Sequence, residues 1–152
     1  MKLVNKLFII GMIAGLILGG FFKLIEQTTG KKVYVLLMNI DYFPIVGDWT
    51  LSGGEEFVLH MIVSVALVFV IYFLFRKKDI HIKMAPYIIV NTLIGALLYL
   101  TTALSERTPE ITDQSAFAYW LVGHMLYGFV VWLLIVVRIE KGKDHHENKQ
   151  KS

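Results

Sequence analysis

Glu56, His60 and Ser64 recur every four residues in EFVLHMIVSVALVFVIYFLF (56–75), so a helix carries them as one polar stripe on an otherwise apolar rod. A second imidazole, His124, sits between Gly123 and Met125 in AFAYWLVGHMLYGFVVWLLIVV (116–137). Imidazole beside carboxylate supports three chemistries. A ring with an ordinary pKa of about 6.5 senses or relays protons in the mildly acidic range. Two His and one carboxylate also make a conceivable zinc or iron site, although no HExxH spacing is present. Bis-histidine haem ligation is the third, with Gly123 and Gly128 offering some room. The plainer alternative is a neutral His that donates to a backbone carbonyl and only packs. No metal or haem is assigned.

Several classes have no support. The chain holds no cysteine, which excludes thiolate metal sites, iron–sulfur clusters and cysteine nucleophiles within it. Walker loop, dinucleotide fingerprint and GxSxG elbow are all missing, so an enzyme is not the favoured expectation. The formal charge is +3, but Lys and Arg flank apolar runs instead of forming an aromatic-interleaved patch, which argues against nucleic acid.

What must position the polar residues is a set of membrane helices. Over 152 residues the hydrophobic content is 56%, far above that of an ordinary soluble domain. The fold expected is an all-α membrane protein, an antiparallel bundle of four transmembrane helices at about 7–25, 57–75, 85–103 and 117–137. These make one domain over 1–140, followed by a disordered, charged cytoplasmic tail at 141–152 that contains His145 and His146. In the first span Gly11, Gly15 and Gly19 repeat at four-residue intervals and form a flat packing face that Lys23 continues. A signal peptide is the lesser reading of that run, because its cleavage pattern is poor. Asn91 in the third span reads as an interhelical hydrogen-bonding residue.

The connection 26–55 is too apolar for a solvated loop. KKVYVLLMNI reads as a short interfacial helix followed by a turn at Pro44 and Gly47, with a re-entrant segment as the alternative. Basic residues concentrate at the N-terminus, in 76–83 and in the tail, which predicts both termini cytoplasmic in a bacterial inner membrane. That orientation places Glu56 at the outer mouth of the second span, His60 about one turn deeper, and His124 about two turns below the same surface. A shared outer-leaflet pocket of His60, His124, Glu56 and Ser64 is expected, near Glu26, Asp41 and Asp48 of the adjoining loop.

FVLHMIVSVALVFVIY (57–72), with its His-x-x-x-Ser opening, and VGHMLYGFVVWLLIVVRIE (122–140), with Gly-His, Trp132, Arg138 and Glu140, resemble the YagU-like family of bacterial inner-membrane proteins. The resemblance covers about half the chain. It implies a multi-pass inner-membrane protein associated with acid resistance, and carries over to His60, Ser64 and His124 alone. The partners expected are the lipid bilayer and either a second copy or another membrane protein. The competing functions are a structural or assembly subunit and a metal- or haem-binding membrane enzyme.

Overall fold

Apolar runs of this length have one low-energy state in hydrocarbon, the helix, because it bonds every backbone N–H and C=O internally. The computed structural model describes residues 2–40 and 51–140. Its elements are α1 (Leu3–Thr29), α2 (Val33–Met38), α3 (Gly53–Lys77), α4 (Met84–Tyr99) and α5 (Gln114–Ile135). A 3₁₀ turn, Leu100–Leu104, continues α4, and a π turn, Val136–Glu140, continues α5. Four of these helices are long and apolar enough to cross a membrane. The chain is an all-α, four-helix, multi-pass membrane protein. The expected turn at Pro44 and Gly47, the acidic residues Asp41 and Asp48, and the tail with His145 and His146 lie outside the described residues.

α1 and α3 overrun their expected spans at both ends, while α4 and α5 start early and pass their last turns to 3₁₀ and π geometry; local caps set several of these ends. Gly30, at φ 73°, closes α1 by donating its N–H to Glu26 O at 2.9 Å, in the left-handed region that glycine enters freely. At the start of α3 the Glu55 carboxylate accepts the Ser52 N–H at 2.7 Å. Asp113 caps α5 by accepting the Ala116 N–H at 3.1 Å. The third span differs in its last turn. There the Thr101 and Thr102 hydroxyls bond Leu98 O and Tyr99 O at 2.6 and 2.8 Å, and the α-helix tightens to 3₁₀.

α1 is the central element, packing on α3, α5 and α2, while α4 packs on α5. All of these long pairs are antiparallel. The edge between α3 and α4 is bridged by side chains, with Phe75 edge-on to Tyr87 at 4.8 Å. The start of α1 meets the end of α5 where Lys6 Nζ donates to Arg138 O at 2.6 Å. This end is called the terminal face, and the opposite end the loop face. α2 covers the loop face with Val33, Leu36 and Met38 buried, so the expected short helix is a lid on the bundle. Glu26 holds it by accepting the Tyr34 and Val35 N–H groups at 2.9 and 3.0 Å. Lys23 lies over the Tyr34 ring at 5.8 Å.

Candidate functional site

The glycine face of α1 receives the polar stripe of α3. A Cβ on Gly11 would stand 2.6 Å from Val65 Cα, and one on Gly15 would stand 2.8 Å from Ser64 Oγ. At that spacing the glycine carbonyls are open to the neighbouring helix, and two stripe residues use them. Ser64 Oγ donates to Gly11 O at 2.8 Å. His60 Nε2 meets Gly15 O at 3.1 Å, and since a carbonyl only accepts, Nε2 carries the proton. Gly19 differs: its Cβ would reach Phe57 at 3.5 Å, an ordinary contact.

α5 supplies the other half. Tyr127 OH donates to Ser64 O at 3.0 Å and lies 3.0 Å from Ser64 Oγ, so α1, α3 and α5 meet in one buried polar knot. α3 and α5 run in the same direction from the loop face. Stepping back from the knot, His60 stands four residues before Ser64 and His124 three before Tyr127, about 6 and 4.5 Å toward the loop face. The imidazoles therefore share a depth. No hydrogen bond between them is formed. His124, 5% exposed, instead donates Nδ1–H to Trp120 O at 2.9 Å. Trp120 stacks on Phe22 at 4.9 Å and lies 4.6 Å from the His124 ring.

Glu56 lies a further turn toward the loop face and is 8% exposed. Its Oε1 takes a hydrogen bond from Arg107 Nη2 at 3.2 Å, pinning the α4–α5 connection onto α3. Glu56, His60, Asn39 and Trp120 line a cavity of about 120 Å³ beneath α2. Glu26, expected nearby, is turned instead to the backbone of α2. Asn91 is fully buried, but its amide donates within its own helix, to Tyr87 O at 2.7 Å, and not across an interface. Its Oδ1 has no partner among the described residues. Against Tyr87 itself, Gly128 of α5 lets the backbones approach until a Cβ there would stand 2.6 Å from Tyr87 O.

On the terminal side of the knot the next buried residues include Val68, Ile71, Val131 and Ile135, with Tyr72 and Tyr87 buried nearer the terminal face. From the loop face inward the polar groups thus run Glu56 with Arg107, then His60 and His124, then Ser64 with Tyr127, and then apolar packing. Among the described residues no three His, Asp or Glu side chains gather into a set that would hold a metal ion.

No family model, curated protein or solved structure matches this chain. What it does is therefore argued from its own geometry.

Proposed function

We propose that this membrane protein responds to acidity on its loop face through His60 and His124. The observation that carries the reading is the hydrogen bonding of the two rings. Each donates one N–H to a backbone carbonyl, His60 to Gly15 and His124 to Trp120. The second nitrogen of each ring is then a lone pair that takes a proton without breaking an existing bond. Two charged rings at one depth repel, so protonation strains the contact between α3 and α5. The apolar layer of Val68, Ile71, Val131 and Ile135 ends the polar ladder, which favours sensing over a path through the protein. A bacterial inner membrane with both termini cytoplasmic would turn this face outward, and the resemblance to the YagU-like family gives acid stress as the setting.

Trp120 reports on its neighbour, because a protonated imidazole quenches a contacting indole. Full-length protein in phosphatidylglycerol vesicles, with Trp49→Phe and Trp132→Phe leaving Trp120 as the one indole, is titrated from about pH 8 to about pH 4. Emission falls through a titration, His124→Gln abolishes it, and His60→Gln displaces its midpoint. Flat emission across that range from folded protein rejects the reading.

A structural role is the second reading, favoured by a specific observation. His60 and Ser64 both bond glycine carbonyls of α1, so the stripe also serves helix packing. On that reading His60→Ala lowers stability and leaves the Trp120 titration where it was.

A further inference from the structure

The cavity beneath α2 reaches the lipid-facing surface of the bundle. Residues 36–40 form its roof. Glu56 and His60 form its polar end, and Leu59, Val63 and Leu98 its other wall, along the α3–α4 edge where the long helices do not pack on one another. Val63 is 60% exposed and so stands on the surface that faces hydrocarbon. A molecule of the bilayer can therefore reach the polar end sideways, past Val63. Its tail meets leucine and valine and its head meets His60 and Glu56, which is the polarity order of an amphiphile.

The polar end sets the chemistry of the head. His60, with its proton on Nε2, presents Nδ1 as an acceptor, and Arg107 takes Oε1 of Glu56 and leaves Oε2. Two acceptors call for a donor. The Arg107 guanidinium already balances the Glu56 charge, so a second cation would be repelled there. A phosphate would bring its own negative charge against the Glu56 carboxylate, and about 120 Å³ holds a group of ring size, close to a cavity that takes benzene. We infer that the α3–α4 opening binds a neutral, hydroxyl-bearing amphiphile whose hydroxyl donates its one proton to His60 or Glu56 while its chain lies past Val63. The inference goes beyond the acid response and needs the cavity alone, not titration of the imidazoles.

The probes are a hexadecanol carrying a photoactivatable diazirine near its hydroxyl and the matching diazirine hexadecane, each in phosphatidylcholine–phosphatidylglycerol vesicles holding the full chain. The alcohol labels the peptides of Leu59, Val63 and Leu98 about tenfold over the lipid-facing Leu93, whereas the hydrocarbon labels them alike. Val63→Trp, at an exposed position that leaves the thermal midpoint unchanged, removes the preference. Equal labelling by the two probes overturns the inference, as does a preference that survives Val63→Trp. Val63→Cys disulfides between copies also overturn it, by showing that a second copy fills the opening. Trp120 emission is read without either probe, so failure here and failure of the acid response are distinguishable.

Discussion

Asp113 shows how much one side chain holds at the loop face. Its carboxylate caps α5 through the Ala116 N–H and takes Lys31 Nζ at 2.8 Å, tying the α1–α2 corner to α5. The Lys31 ammonium first, and then the Ala116 N–H and Ser115 hydroxyl, hold its carboxyl down at about 2, below the ordinary 3.8. A depressed folded-state pKa means that the contribution is complete above the ordinary value and is lost as pH falls through about 2. Asp113→Ala should therefore lower stability by roughly 1 kcal/mol at neutral pH, since the ion pair is solvent-screened and the cap carries most of the effect. Thermal midpoints in detergent check this: the gap to wild type stays constant above about pH 4 and narrows toward about pH 2. At this scale the sequence was partly legible. Glu56, His60 and Ser64 share a helix face by spacing alone, and all three do turn toward protein groups. Arg107 was not legible as the partner of Glu56, because it lies in a polar loop whose position depends on the whole bundle. Tyr127 was missed although a signal existed: Trp120, His124, Tyr127 and Val131 fall on one face of α5 at helical spacing.

Between elements, the close approach of backbones decides the packing. Gly11 and Gly15 sit against α3 so tightly that even a methyl group requires movement, whereas Gly19 meets only Phe57 and Gly20 has nothing within 4 Å. Gly11→Ala is expected to destabilise by about 1–3 kcal/mol, because the atom in the way is backbone and cannot swing aside. Gly19→Ala and Gly20→Ala stay within about 0.5 kcal/mol of wild type, or gain slightly from helix propensity. Equilibrium unfolding in mixed micelles measures the series, and equal losses at all three positions would refute the packing account. The four-residue glycine repeat was readable as a contact face, but not its graded tightness, which depends on where α3 crosses α1. The existence and kind of all four spans were likewise readable from length and apolarity. Their ends were set by caps from residues outside the apolar runs, Gly30, Ser52 and Asp113. That α2 is a lid was not readable, since an apolar hexamer suits a bilayer interface and a buried roof equally well.

For the molecule as a whole, the loop face and terminal face lie on opposite sides of the bilayer, and the absence of native cysteine makes the assignment clean to test. Thr112→Cys lies between α4 and α5 and Lys78→Cys follows α3. With termini cytoplasmic, a membrane-impermeant maleimide labels Thr112→Cys in intact cells and Lys78→Cys only after permeabilisation. The reverse pattern would turn the imidazoles toward the cytoplasm and remove the external-acid setting while leaving the titration intact. The central place of α1 also orders biogenesis. α1 is made before both of its long partners, α3 and α5, so the seat where Phe22 will take Trp120 stays vacant until α5 arrives. Chains halted before α5 therefore carry an unfilled groove along α1, and assembly of the polar site waits on the arrival of that helix.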